Sequence, residues 1–245
     1  MGVDSGLPDF RGPDGFWRAY PPYRRLGLAF EELADPVHFV DDPELAWGFY
    51  GHRLALYRAT VPHAGFAVLR RWAGPERPAR VFTSNVDGQF HTAGFGEHEV
   101  LECHGSIHHL QCLAGCSTAI WPAAGFEVRV DEDTMRAEPP LPSCPHCGGL
   151  ARPNILMFGD YDWLPARTER QAADHLTWLR SQDRARLVVL EIGAGTTVPT
   201  VRRHAESIAG TALIRINPRE PELRRGVSIA APAAETLAAL DALLT

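Results

Sequence analysis

The sequence predicts an α/β protein, a parallel sheet with helices on both faces, carrying a small lobe of helices and bound zinc. Three observations predict it. Short apolar runs ending in polar or glycine-rich turns recur at "ARVFTSNVDG", "HEVLECHGSI", "ARLVVLEIGAG" and "TALIRINPRE". Helical stretches stand among them, the pattern of parallel strands joined by crossovers. Two close cysteine pairs fall between the second and third of these runs.

Taken in order, the chain opens on "MGVDSGLPDFRG", which reads as the tail of a nucleotide-binding loop. Two helices are expected after "PDFRGPDGFW". The better one is "PELAWGFYGHRLALYR", with Leu45, Phe49, His52 and Leu56 at helical spacing. Asp42 is its expected cap and Pro43 its first residue. "ARLVVLEIGAG" reads as the strongest buried strand, a continuous apolar run ending in small residues. "AAETLAALDALL" reads as a closing amphipathic helix. In parallel sheets ligands sit at the carboxyl ends of strands. "TSNVD", "CHGS", "GAG" and "INP" all fall there. The expected layout is a Rossmann-like nucleotide-binding domain over 1–12, 59–105 and 153–245. It is interrupted by a helical insert (13–58) and a metal module (106–152).

The 245 residues are 45% hydrophobic and 22% charged, enough for one globular unit with a core and a small second lobe. No apolar run is long enough to cross a bilayer, and the N-terminus has no signal-peptide pattern. The expected compartment is the cytoplasm. A formal charge of −6 argues against broad binding to nucleic acid or anionic membranes. It leaves small-molecule and protein substrates open.

Without an export signal, disulfides are the less expected use of five cysteines. Cys112 and Cys116 are separated by three residues, Cys144 and Cys147 by two. Each pair can turn both sulfurs toward one ion, and "CPHCGG" has the proline and glycines of such a knuckle. Four thiolates satisfy tetrahedral Zn²⁺ and leave no open position, so the metal is expected to be structural. The alternatives are four ordinary buried thiols, or a redox "CPHC", which lacks the strand-to-helix setting of redox motifs. The fifth cysteine, Cys103, precedes His104. Adjacent strand residues point to opposite faces, so the two do not aim into one pocket. His104, beside flexible Gly105, is taken as the site residue and Cys103 as core filler.

These motifs together resemble the sirtuins, NAD-dependent protein deacylases. "SGLPDFRG", "TSNVDG", "CHGS", two cysteine pairs, "MFGD", a glycine turn after a buried strand and "RINP" occur in sirtuin order along essentially the whole chain. The resemblance implies that NAD is consumed as a co-substrate and that acylated protein or peptide is the partner. It implies His104 as general base, Asn85 holding the ribose and Asp87 receiving the nicotinamide carboxamide. Phe10 would shield the nicotinamide pocket, with Asp9 and Arg11 in the same cofactor loop. Gly193 and Gly195 would approach ribose and phosphates, and Asn217 the adenine ribose. Phe158 and Gly159 would pair with substrate backbone. The chemistry suits these types: a ribose hydroxyl must lose a proton, and a histidine titrating near neutrality is matched to that step.

Some positions depart from the family. Ser84 stands where sirtuins usually carry glutamine, so its contact with the ribose hydroxyl is altered. Gln89 and Phe90 replace Leu-His, "GAG" replaces Gly-Thr-Ser, and Asp160 replaces Glu. Asn85, Asp87 and His104 are all retained. "WGFYGHR" places Tyr50 and Arg53 three apart on one helix face, where a phenol and a guanidinium can grip a carboxylate. Sirtuins that remove succinyl or malonyl groups show this Tyr-x-x-Arg pair, so acidic acyl groups are expected, with acetyl also accepted. The alternative for this pair is an amphipathic helix with a solvated arginine.

In sirtuins an apolar strand and a Gly-Ala-Gly turn precede the stretch that opens this chain. The expectation is therefore a sheet lacking its first strand and part of its phosphate cradle. Three other functions compete with deacylation. ADP-ribosyl transfer or NAD hydrolysis would use the same site with another acceptor. An inactive NAD-sensing protein would result from a cut cofactor loop. A zinc-ribbon nucleic-acid binder conflicts with the acidic charge.

Overall fold

The computed structural model describes residues 1–8, 16, 20–25, 27–208 and 212–244. After a 3-10 turn at Gly2–Ser5, the described residues put four helices in one lobe: α1 (Pro21–Arg25), α2 (Phe30–Leu33), α3 (His38–Asp41) and α4 (Pro43–Ala59). α4 begins as its sequence dictates. Asp42 accepts a hydrogen bond from the Leu45 N–H at 3.2 Å, and Pro43 occupies the first position, where no N–H is needed. α5 (Ala64–Trp72) then leads to β1 (Val81–Thr83), α6 (Gln89–Thr92) and β2 (Val100–Glu102). β1 and β2 pair in parallel, Val81 opposite Val100.

The chain next leaves the parallel sheet. β3 (Gly105–Cys112) lies between β4 (Ile120–Pro122) and β7 (Ala151–Ile155), all antiparallel. β5 (Val130–Asp131) and β6 (Arg136–Ala137) form a hairpin against α4. α7 (Ala166–Ser181) packs on β2, and the chain re-enters parallel pairing. β8 (Val189–Ile192), β9 (Leu213–Ile216) and β10 (Val227–Ile229) form a parallel sheet in the order β10-β9-β8, with α8 (Thr200–Ile208) between β8 and β9 and α9 (Ala233–Leu244) last.

Both faces of this sheet are covered, as strand alternation requires. Ile192, Ile214, Ile216 and Ile229 pack with Val68 of α5 and Leu237 of α9. On the other face, Val189 and Leu213 pack against Ala205 of α8. The largest apolar cluster lies instead in the helical lobe, where Phe16, Tyr20, Tyr23, Phe39, Trp47, Phe49 and Tyr50 interleave above β3 and β7. The Trp47 indole N–H donates to the Ala151 carbonyl at 2.9 Å and fastens α4 to β7. A Cβ on Gly48 would stand 2.0 Å from the Met135 carbonyl oxygen, so only glycine lets α4 cross the hairpin this closely.

Three features differ from the sequence expectation. Where the sequence suggests two helices before β1, the described residues form three short helices ahead of α4, and α5 after it. The parallel strands form two sets, β1-β2 and β8-β9-β10, and no ladder joins them among the described residues. What spans β1, α7 and α8 is a side-chain cluster: the Phe82 ring stacks on His204 at 3.8 Å, and His204 Nε2 lies 3.1 Å from His175 Nε2. The run expected to be the most buried strand is also only partly covered. In β8 the fully buried residue is Glu191, held by two hydrogen bonds from Arg215 of β9 at 2.6 and 2.8 Å. Among the described residues β8 pairs only with β9, so its apolar side chains are half covered while the ion pair takes the interior position.

Candidate active site

The site is built from strand ends. After β1 the chain turns through Ser84, Asn85, Val86 and Asp87. Thr83 Oγ1 accepts from the Asn85 N–H at 3.1 Å, and the Asn85 side-chain amide donates to Asp87 Oδ2 at 3.2 Å. Asp87 Oδ1 accepts from the Gln89 N–H at 3.0 Å. Gly88 (φ 71°) makes the left-handed step into α6. Burial pushes the Asp87 carboxyl above its ordinary value, opposed by the Gln89 and Asn85 hydrogen bonds and reinforced by nearby Glu102. A buried carboxyl so poised suits a polar N–H ligand such as a carboxamide.

β2 ends beside this turn and delivers His104. Burial holds its imidazole below the ordinary histidine value, and a hydrogen bond to the backbone of Ser84 works the other way. The ring is therefore neutral at neutral pH and competent to accept a proton. Gly105 (φ 75°) follows because a Cβ there would lie 2.1 Å from the Asn154 carbonyl oxygen. Burial drives the neighbouring Cys103 thiol up to about 12, so it is an inert filler.

The second sheet supplies the other wall. Gly193 (φ 65°) turns the chain after β8, its N–H donating to the Ile216 carbonyl at 2.9 Å. Gly195 lies half-buried in the loop that leads to α8. Asn217, fully buried at the end of β9, donates to the Ala194 carbonyl at 2.9 Å and accepts from the Arg219 and Glu220 N–H groups. The opening turn links the two walls. The Met1 nitrogen would lie 3.2 Å from a Cβ on Gly193, and Asp87 Oδ2 3.3 Å from one on Gly2. Ser84, Asn85, Asp87 and His104 thus converge on one side, Gly193, Gly195 and Asn217 on the other. Asp9, Phe10 and Arg11 lie outside the described residues.

Phe158 and Gly159 lie beyond β7. The Phe158 N–H donates to the Ala34 carbonyl at 2.9 Å, its half-exposed ring meets Phe30 edge-on, and Gly159 takes φ 65°. Tyr50 and Arg53 share the inner face of α4, and neither is solvated: Arg53 is only 6% exposed. The rings of Phe30, Phe49, Tyr50 and Tyr57 surround its guanidinium at 5.0–5.7 Å. The solvated-arginine alternative is therefore overturned.

Cys112, Cys116, Cys144 and Cys147 hold their sulfurs within 4.8 Å of one another, with Cys112–Cys147 at 3.7 Å and Cys116–Cys144 at 3.6 Å. A tetrahedral ion with Zn–S bonds of about 2.3 Å spaces its sulfurs about 3.8 Å apart. The four residues fit structural zinc with no place for a fifth ligand, and the cluster belongs to the β3–β7 lobe rather than to the His104 pocket.

Sequence reasoning missed several supports. Glu102, buried two residues before His104, lies 2.7 Å from the buried guanidinium of Arg167, which also meets Glu97 at 2.7 Å. His108 Nε2 approaches the Asp87 carbonyl at 3.0 Å and packs over Gly88. Asp160 pairs with buried Arg152. None of these carries a local signal, because each partner comes from another element. Tyr57 was within reach, since it follows Arg53 by four residues on the same helix.

Strand-end turns converging from two parallel sheets, beside a lobe clamped by four sulfurs, define an α/β protein of the dinucleotide-handling class. The chain belongs to the Sir2 family, whose model matches residues 1–179. It is 33% identical to the NAD-dependent protein deacylase 1 of Archaeoglobus fulgidus over 91% of this chain and 80% of the relative. It is 31% identical to the NAD-dependent protein deacylase 1 of Pseudomonas aeruginosa over 97% of this chain and 88% of the relative. A solved Sir2 homologue–NAD complex superposes with a TM-score of 0.71 at 27% identity, covering 99% of this chain and 84% of that one.

Proposed function

We propose that this chain is an NAD-dependent protein-lysine deacylase that takes acyl groups ending in a carboxylate, succinyl and malonyl, with acetyl also accepted. The class follows from the family and from the retained Asn85, Asp87 and His104. The acyl preference is carried by one observation: a guanidinium buried in an aromatic cage beside Tyr50, on the face of α4 that carries the Tyr-x-x-Arg pair.

The residues present fit NAD. The left-handed turn at Gly193 would let a phosphate approach the backbone, Asn217, fixed at the end of β9, would hold the adenine ribose, and Asp87 would offer a buried acceptor. When bound, NAD supplies an electrophilic ribose carbon with nicotinamide as the leaving group. Asp87 accepts from the carboxamide and Asn85 holds the ribose. Neutral His104 takes the proton from a ribose hydroxyl. Arg53 and Tyr50 hold the distal carboxylate, fixing the acyl chain against the sugar. The partner is an acylated protein segment lying along Phe158 and Gly159. With one water consumed, which supplies the oxygen that replaces the lysine nitrogen on the acyl carbon, the products are nicotinamide, O-acyl-ADP-ribose and the free lysine.

An acyl-peptide panel with NAD tests this. Wild type is expected to release nicotinamide and O-acyl-ADP-ribose in a peptide-dependent manner, and His104→Ala to lose product at least 100-fold, within the usual range for a general base. Arg53→Met is expected to lose succinyl-peptide turnover far more than acetyl-peptide turnover. Equal losses on the two peptides would refute the carboxylate grip.

A further inference from the structure

Asp87 has three anchors, and they differ in reach. Its Oδ1 accepts from the Gln89 N–H and its Oδ2 from the Asn85 side-chain amide, both within one turn. The third comes from β3, 21 residues on: His108 Nε2 lies 3.0 Å from the Asp87 backbone carbonyl oxygen. A carbonyl oxygen can only accept, so Nε2 carries the proton and donates. The preceding residue repeats the arrangement, since the Ile107 N–H donates to the Val86 carbonyl at 3.1 Å. β3 thus holds two successive carbonyls of the turn, one by main chain and one by imidazole.

The carbonyl that His108 holds belongs to the peptide with most freedom to turn. That peptide joins Asp87 to Gly88, and glycine takes either sign of φ, so the plane can rotate at little steric cost. The bond from the Gln89 N–H to Oδ1 is a side-chain turn closed across the same plane, so a plane that rotates also releases the carboxyl group. The imidazole edge packs tightly here: a Cβ on Gly88 would lie 2.6 Å from His108 Cδ2 and 2.7 Å from Nε2. We propose that His108 is a positioning residue for the reaction: its Nε2–H fixes the Asp87–Gly88 peptide and so aims the Asp87 carboxyl group at the nicotinamide carboxamide. The inference rests on the reading of Asp87 as the carboxamide acceptor.

The test measures nicotinamide release, the product-inhibition constant of nicotinamide and the KM of one acyl-peptide on wild type, His108→Phe, His108→Gln and Asp87→Ala. Neither an inhibition constant nor a KM depends on the fraction of enzyme folded, so a less stable variant stays informative. Phenylalanine keeps a ring over Gly88 and removes the donor, whereas glutamine restores an N–H at similar reach. In His108→Phe the nicotinamide constant is expected to rise about fivefold to tenfold, the scale of one lost neutral hydrogen bond, with the peptide KM unchanged. His108→Gln should recover most of that loss, and Asp87→Ala should lose most nicotinamide release. A normal constant in His108→Phe beside a defective Asp87→Ala overturns the role of His108 and leaves the reading of Asp87 standing. An Asp87→Ala variant that matches wild type in release and inhibition overturns both. Equal defects in His108→Phe and His108→Gln, or a peptide KM that rises with the nicotinamide constant, assign His108 a purely structural role and overturn the inference.

Discussion

Asn85 donates its side-chain amide to Asp87 across 3.2 Å, so two residues of one turn enter the pocket as a unit. The bond also restrains the rise in the Asp87 pKa that burial causes. Asn85→Ala is expected to release Asp87, raise its pKa further and reduce nicotinamide release about 100-fold. The KM for NAD should rise less than kcat falls. Steady-state nicotinamide assays at several NAD concentrations check this.

As the proposed general base, His104 is expected to set the acid limb of the reaction. Its pKa lies below 6.5 in the folded state because burial disfavours the imidazolium. The neutral base therefore persists below pH 6.5, and kcat should fall only at more acidic pH. A measured acid-limb midpoint at or above 6.5 would contradict this environment.

The His175–His204 pair makes a stability prediction. Burial lowers both imidazoles, His175 to about 4, with His204 and Arg80 adding to the shift. Above pH 6.5 both rings are neutral, folded or unfolded, and contribute nothing. As pH falls from 6.5 toward 4 the unfolded chain binds protons first, so stability falls over that window. Phe82, stacked on His204, is uncharged and offers no compensation. His175→Phe should flatten this part of the pH profile in chemical denaturation.

Arg215 joins β9 to β8 through Glu191, and the same guanidinium meets Glu206 of α8 at 2.8 Å. Arg215→Met leaves the Glu191 carboxylate buried and unpaired, and should cost about 3–5 kcal/mol. The paired change Glu191→Leu with Arg215→Leu should cost less than the single one. Urea denaturation of the three proteins decides the point.

The four sulfurs predict dependence on zinc. Chelation, or Cys144→Ser, should release about one zinc per chain and unfold the β3–β7 lobe. Activity should be lost through that lobe rather than by loss of a catalytic metal. Zinc titration with a colorimetric chelator, alongside circular dichroism, reads both effects. Retained zinc in Cys144→Ser would count against the four-sulfur site.

Much of the architecture is written locally. The cap and proline that start α4 and the polar turns after β1 and β2 are short-range signals, and each lies where its residues dictate. The cysteine spacing is likewise local, because each pair need only turn once to present two sulfurs. β8 misled because an apolar run does not say whether a strand has one neighbour or two. Glu191 within that run becomes interior only because Arg215 comes from another strand.

By itself, the sequence determined the α/β class, the cysteine clamp and the residue types of the pocket, since backbone propensity and short spacings carry that information. Only the tertiary structure decided that Arg53 is caged rather than solvated, and that Glu102 meets Arg167 beside the pocket. The physical reason is that a charge survives burial only when partners surround it, and the shell is closed from other segments, by Phe30 at Arg53 and by Arg167 at Glu102. The approach of those segments is a property of the packed chain, not of any stretch of it.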